Sequence, residues 1–468
     1  MAAKVDLSSL QGYKPSGLSE NHNINKNVLC PNEDFLVTIE ASCPTGFEIA
    51  LDAEIKDKFS SSVTVKHQGR VFFDVPISQI DKVVQLRCMD NASVLIGVRT
   101  FFDFSGDIEA CLTRINGLLN DTFCDTNSSR LTWEKGLIAW NELFKFKNTG
   151  NDNWQNSVSL LTLSGMAQSK VTTEKQTEKK PKIEDKYRGD NVNADIHEVS
   201  LPKFRATCYR SGENCHPFGS MDVARSFGGA INDKFGWGVS MKNFDIEVVI
   251  TIDVNQVYVG IGLTKQSLFK RNIEHVGPTT LRATICASLL KLANIQPGEI
   301  VIDPMCGGGS IPIEGTIAFN NGFHIGGDYH DKAVIRSAKN FKSLSESLTK
   351  TTSSSICKQL PGDILQWDVT KIPLRDNSVD VFVTDLPFGK RSGSKADNRI
   401  LYPKIMNSMA RVVKPKIGRA VILTQDKTSM FKTQRKFNKY WKINHEHNCN
   451  IGALSAVVFI MTRTQVIP

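Results

Sequence analysis

Thr384-Asp385-Leu386-Pro387-Phe388-Gly389-Lys390-Arg391 follows the apolar run Val379–Thr384 and has the residue types for one reaction, methylation of an exocyclic base amine. The lone pair of such an amine is delocalised into the ring, so the nitrogen is a poor nucleophile. The Asp385 carboxylate and the Leu386 carbonyl can accept its two hydrogens and turn the lone pair toward a sulfonium, while Phe388 stacks on a flipped base. Asp385 can also take the released proton, although that proton leaves easily once the methyl group is transferred. The alternative for these residues is a strand-ending Asp-x-Pro turn with Phe388 in the core.

A second cluster lies about eighty residues upstream. Val301-Ile302-Asp303-Pro304-Met305-Cys306-Gly307-Gly308-Gly309-Ser310 sets an acid at the tip of an apolar strand and three glycines before a helix. Glycine lets the backbone approach a ligand closely. Asp328, in His324-Ile325-Gly326-Gly327-Asp328, ends the next strand, where a carboxylate grips ribose hydroxyls. The turn does not match G-x-G-x-x-G, and Asp303 would repel a pyrophosphate but attract the ammonium of a methionine moiety. The cofactor expected is therefore S-adenosylmethionine rather than a dinucleotide. Asp368, in Gln366-Trp367-Asp368, is either an acceptor for the adenine amine or a solvated loop acid.

These tips need strands to carry them. Helices over Thr279–Ala293, Ile311–Phe319, Ala333–Leu348 and Asn398–Val413 alternate with strands over Glu299–Asp303, Phe323–Gly326, Val379–Thr384 and Gly418–Leu423; a strand pair at Trp441–Glu446 and Leu454–Met461 closes the series. This predicts an α/β, open doubly wound sheet with its ligand at the carboxyl ends of the strands. Upstream, strands at Phe35–Glu40, Val63–Val65, Val71–Val75 and Ser93–Arg99 alternate with helices at Gly46–Phe59 and Ile77–Cys88, which fits a small α/β sandwich. Strands at Lys203–Tyr209, Phe244–Ile250 and Val257–Leu263 surround a helix at Ser220–Phe235. Lys170–Asp190 is nearly devoid of apolar residues and reads as a linker.

Length and composition agree. The 468 residues predict about three domains, and 40% hydrophobic with 22% charged residues excludes wholesale disorder. No run is apolar enough to span a bilayer, and the polar start lacks a secretory signal. Eleven cysteines without a C-x-x-C pair point to a reducing compartment, the cytoplasm with the nucleus as alternative. The net charge of +9 is uneven: residues 390–442 hold 15 basic and 2 acidic residues, as a polyanion partner or an exposed basic helix face would require.

His275-Val276-Gly277-Pro278-Thr279-Thr280-Leu281-Arg282, Asp303-Pro304-Met305-Cys306, Ile311-Pro312-Ile313-Glu314-Gly315 and the motif at Asp385 together resemble the THUMP-domain RNA guanosine N2-methyltransferases. Phe204-Arg205-Ala206-Thr207-Cys208-Tyr209-Arg210, Phe227-Gly228-Gly229-Ala230 and Val259–Thr264 resemble the THUMP portion. Gly46-Phe47-Glu48 and Leu86–Asp90 resemble the ferredoxin-like segment before it. The resemblance implies a polar tail (1–30), a ferredoxin-like region (31–165), a charged linker (166–197), a THUMP region (198–266) that docks the tRNA 3′ end, and a Rossmann-like methyltransferase domain (267–468). It implies methyl transfer to an acceptor-stem guanosine at position 6 or 7, and a small zinc-binding activator subunit as partner. Carried over, Asp303, Cys306, Gly307 and Gly309 line the methionine end, Asp328 the ribose and Asp368 the adenine, while Asp385, Leu386, Pro387 and Phe388 form the target-base site. Gly308 stands where the family usually has Thr or Ser, and Leu386 where the wider amino-methylase group has Pro.

Lys203, Arg205, Arg210, Lys390 and Arg391 are candidates for RNA phosphate contacts. Phe431–Lys442 interleaves cations with aromatics, as an RNA surface or an amphipathic helix would. No metal is expected: His445 and His447 share a strand face without a third ligand, and Cys208, Cys215 and His216 fit buried or loop roles. The competing functional classes are an RNA-binding protein with little activity and an enzyme acting on a small nuclear RNA or at adenine N6.

Overall fold

The computed structural model describes residues 34–60, 64–121, 127–144, 201–212, 215–351, 360–388 and 394–466. The tail at 1–30 and the linker at 166–197 lie outside the described residues. In chain order the first elements are β1 Leu36–Ser42, α1 Glu48–Lys58, β2 Thr64–His67, β3 Arg70–Pro76, β4 Asn91–Arg99, α2 Ile108–Asp121, α3 Asn127–Phe144, β5 Lys203–Ser211, α4 Ser220–Phe235, β6 Gly238–Val239, β7 Ile246–Asp253 and β8 Gln256–Gly262.

Residues 34–40, 73–84 and the described part of 92–265 form one unit, whose sheet runs β3-β1-β4-β8-β7-β5-β6. β4 pairs antiparallel with β8, so strands from the ferredoxin-like and THUMP regions share one sheet. Val223, Phe227, Ile231 and Phe235 recur every four residues on α4 and make one buried stripe, packed with Trp133 and Leu137 of α3 and Phe204 and Ile250 of the sheet. Each such side chain contributes about 1.5–3 kcal/mol through burial. Gly236, at φ 69°, ends α4 in the left-handed conformation.

The second unit comprises the described residues of 41–72, 85–91 and 266–466. Its further elements are α5 Ala283–Leu292, β9 Ile300–Asp303, α6 Ser310–Ala318, β10 Phe323–Asp328, α7 Asp331–Thr351, β11 Gly362–Gln366, β12 Val381–Asp385, α8 Lys395–Val412, β13 Arg419–Thr424, α9 Lys427–Phe437, β14 Trp441–Ile451 and β15 Leu454–Arg463. The sheet order is β11-β10-β9-β12-β13-β15-β14; β9 to β13 are mutually parallel, and β15 is antiparallel to β13. Successive residues point to opposite faces, so both sides become core. Val301, Val381, Val383, Val421 and Leu423 pack with Ile285 and Leu289 of α5, whereas Ile302, Phe382, Ala420 and Ile422 pack with Ile405, Met406 and Met409 of α8. The strand order reverses between β9 and β12, which opens a crevice at their carboxyl ends.

Phe47, just before α1, is buried with Leu281 and Ile285 in this unit. Gly46 makes the approach possible: at φ 95°, its Cβ would stand 2.2 Å from the Asn448 carbonyl oxygen. The helix expected over Ile77–Cys88 is shorter, a turn at Ile77–Gln79 and a helix at Ile80–Val83. The backbone beyond leaves the helix because the amides of Arg87 and Cys88 donate to the Glu54 carboxylate, at 2.7 and 2.9 Å. Similarly, the helix expected from Thr279 begins at Ala283, and residues 279–281 line the crevice instead.

Candidate active site

A cleft of about 1460 Å³ opens at the crevice, and the three acids at the tips of β9, β10 and β12 all line it. Asp303 is 2% exposed and accepts hydrogen bonds from the Thr384 hydroxyl (2.8 Å) and the Met305 amide (3.2 Å). Burial, with the Asp385 and Asp328 charges beside it, holds its carboxyl well above the usual range. Asp385 is pushed up to about 7, by burial first and then by Asp328. Such a concentration of negative charge is complementary to a cationic ligand, whose charge would relieve both shifts.

The glycine turn is held from two sides. Asp328 accepts from the Gly307 amide (2.9 Å) and from the His330 amide (2.9 Å), so one carboxylate fixes the turn and the start of the next loop. Asn340 of α7 donates to the carbonyls of Gly308 (2.9 Å) and His275 (3.2 Å), and its own carbonyl takes the His275 amide (2.8 Å). It thereby ties the His275–Arg282 segment to the turn. Buried Glu314 of α6 instead anchors the segment before His275: it accepts from Arg87 (2.5 Å) and Asn272 (2.9 Å) and pairs with Arg271 at 3.5 Å. A carboxylate that deep persists only with such partners. Cys306 is buried in the wall, its sulfur 4.0 Å from the Ser337 hydroxyl.

Gly307, at φ 55°, has nothing within 4 Å of where a Cβ would stand, so the turn presents bare backbone to the cleft. Gly309 has φ 81° and a Cβ there would lie 2.3 Å from the Ser337 hydroxyl, whereas Gly308 lies outside the left-handed region and would make only a 3.5 Å contact with Arg336. Gly309→Ala is therefore expected to lose at least about 1–2 kcal/mol from the backbone alone, with weakened cofactor binding. Gly308→Ser keeps or slightly raises the melting temperature. Thermal unfolding with a cofactor titration checks both.

On the other side of β9, Trp367 lies across Gly327, whose Cβ would come within 1.9 Å of the indole, and donates to the Pro304 carbonyl at 3.1 Å. Trp367 was not singled out in the sequence; the paired glycines inside strand β10 were its signal. Asp368 lines the same end but is exposed, and its carboxylate accepts from the Thr370 amide and hydroxyl, both at 2.8 Å. Those bonds hold it below the usual carboxylate range.

The Asp385–Phe388 turn faces this arrangement from β12. The Leu386 amide donates to the Leu423 carbonyl (2.9 Å). The Pro387 carbonyl accepts from Tyr402 (2.7 Å) and Asn398 (3.0 Å) of α8, which point it away from the cleft. Both are fully buried and reach on to Thr424 and Asp426, so α8 fixes the path of the turn. Phe388 is half-buried against the α5-side core.

Among the candidate RNA contacts, Lys390 and Arg391 lie outside the described residues. Lys203 and Arg205 share one face of β5, and Arg210 points to the other. Lys203 is exposed, but the Arg205 guanidinium pairs with Glu247 at 2.9 Å and lies 3.9 Å over Phe244; that of Arg210 lies 6.0 Å from the Phe218 ring. The three are not brought together. In the basic window, Lys432, Arg435, Lys436, Lys439 and Lys442 are exposed while Tyr440 and Trp441 are buried and Phe437 packs on the core. Among the described residues no group of three or more His, Cys, Asp or Glu is arranged for a metal, and none of the helices is long and apolar enough to cross a membrane.

Residues 271–456 match the RMKL-like methyltransferase domain family, and residues 190–262 match the THUMP domain. The chain is 38% identical to the tRNA (guanine(6)-N(2))-methyltransferase THUMP3 of Bos taurus, over 92% of this chain and 90% of that one. It is 29% identical to a tRNA (guanine(6)-N2)-methyltransferase of Methanocaldococcus jannaschii over 54% of this chain and 74% of that one. The crystal structure of TrmN from Thermus thermophilus shares the fold, with a TM-score of 0.60 at 18% identity over 91% of this chain and 99% of that one. The bare glycine backbone beside three crowded carboxylates fits S-adenosylmethionine, the cofactor of this Rossmann-like domain. The chain belongs to the THUMP3 family of THUMP-domain methyltransferases.

Proposed function

We propose that this protein transfers a methyl group to the N2 amine of a guanosine in the tRNA acceptor stem, at position 6 or 7. The observation that carries the reading is the Asp385–Phe388 turn, which stands across the β9/β12 switch from Asp303 in one cleft with Asp328. S-adenosylmethionine, when bound, supplies an electrophilic methyl group on a positively charged sulfur. Asp303 attracts the ammonium end, Gly307 and Gly309 let the backbone approach, Asp328 takes the ribose and Asp368 the adenine. On the opposite side, the Asp385 carboxylate and the Leu386 carbonyl hold the two amine hydrogens, aim the nitrogen lone pair, and Phe388 stacks on the base. Asp385 then accepts the proton that the methylated amine releases.

The THUMP region docking the tRNA 3′ end is part of the same reading; the names of the relatives support tRNA as the substrate, and the THUMP match supplies the region. A small zinc-binding activator subunit is the proposed partner. The edge strand β11 supports it, since an edge offers unpaired backbone for another chain to extend. Cysteine usage supports a cytoplasmic location. Mass spectrometry of nuclease fragments of tRNA after loss of this protein tests the function. N2-methylguanosine is expected to disappear at position 6 or 7; unchanged tRNA, or a loss confined to a small nuclear RNA, overturns it.

A further inference from the structure

Gln425 follows the last residue of β13 and lines the cleft together with Asp385–Phe388 and the turn Ile451–Leu454. Its position is fixed from both sides. The Thr424 hydroxyl accepts from the Asp426 amide at 3.0 Å, and the Asp426 carboxylate takes Ser429 at 3.1 Å and Asn398 at 3.2 Å. On the adjacent strand, Asp385 stands in register with Leu423, two residues before Gln425. The backbone is thus pinned, yet the side-chain Nε2 is sealed from solvent and has no hydrogen-bond partner among the described residues.

A covered amide donor without a partner costs free energy, which a half-turn of the amide about its last bond, onto an acceptor in the cleft, would recover. The chemistry of the compartment says what the ligand offers. Asp385 and the Leu386 carbonyl are acceptors and serve the amine hydrogens. A guanine whose N2 sits there presents a ring acceptor, N3, directly beside the amine, and neither Asp385 nor Leu386 can donate to it. Gln425 can. Resting on the proposed function, we propose that Gln425 is a base-binding residue whose side-chain amide donates to N3 of the target guanine and so stops the base from turning about the contacts at its amine.

The test uses the full chain co-purified with its activator subunit and tRNA transcripts carrying guanosine or 3-deazaguanosine at position 6. Gln425→Leu is expected to lower kcat/KM for the guanosine transcript about 10- to 100-fold, with unchanged S-adenosylmethionine affinity. The melting temperature holds or rises, because an apolar side chain replaces an unpaired amide. The 3-deazaguanosine transcript costs the wild-type protein a similar factor and the variant nothing further, the non-additivity of a shared contact. Wild-type kcat/KM in the variant overturns the assignment, as do two losses that multiply. A fall in melting temperature with a matching fall in cofactor affinity assigns Gln425 to packing and overturns it too. If the wild-type protein makes no N2-methylguanosine from the guanosine transcript, the proposed function fails, and the inference with it.

Discussion

Asp385→Ala lowers kcat by about 10³-fold or more and leaves tRNA affinity nearly unchanged, as single-turnover methylation and filter binding will measure. In the proposed function the carboxylate meets the reacting amine and lines the cleft beside Asp328, so its interaction is made where the chemistry happens and not along the RNA backbone. Retained turnover in the purified complex would remove Asp385 from the reaction. The pH profile adds a sign. With its carboxyl at about 7, Asp385 is protonated below that value and presents an O–H toward an N–H it must accept. Hence kcat/KM for the cofactor rises about tenfold per pH unit toward pH 7 and then levels off. Asp385→Asn, which keeps one acceptor oxygen, gives a slower enzyme with that limb flattened. Stability runs the other way. The folded protein binds this proton more tightly than the unfolded chain, where Asp titrates near about 3.9, so unfolding free energy falls as pH rises from about 4 to about 7. Urea unfolding across that range shows the slope in the wild type and loses this contribution in the Asn variant.

The acids themselves were legible because each ends an apolar strand, and a strand's alternation leaves its last residue as the place where core gives way to crevice. Asp303, Asp328 and Asp385 need no tertiary information beyond that. Asn398 and Tyr402 were not legible as supports of the motif: they lie on a helix whose periodicity marks them only as core, and nothing in their spacing says that they grip the Pro387 carbonyl. Strand β11 escaped for a different reason. It is an edge strand in which Asp363, Leu365 and Gln366 are exposed, so no continuous apolar run marks it. The pairing of β4 with β8 joins residues more than 150 apart in sequence, and local pattern carries no signal for such a partner. Arg205 looked available for phosphate because its charge was visible and Glu247 and Phe244, forty residues on, were not visibly its neighbours.

Reversing Lys432, Arg435, Lys436 and Lys442 to Glu takes the formal charge from +9 to +1 and is expected to weaken tRNA binding by more than about tenfold near physiological salt. Sequence alone left this window as an RNA surface or an amphipathic helix, and the structure allows both at once. The aromatic residues Tyr440 and Trp441 are buried and Phe431 meets Phe459 edge-on at 5.3 Å, while the four cations are exposed. Reversal therefore spares the packing, and the melting temperature should hold. Each cation that neutralises a phosphate releases a counterion, so the plot of log affinity against log salt becomes shallower by up to about 0.9 per lost contact. At saturating RNA, kcat stays near the wild-type value because none of the four lines the cleft. An affinity and salt slope unchanged by four reversals would mean that the basic face formed by α9 and the start of β14 does not meet RNA, whatever its charge.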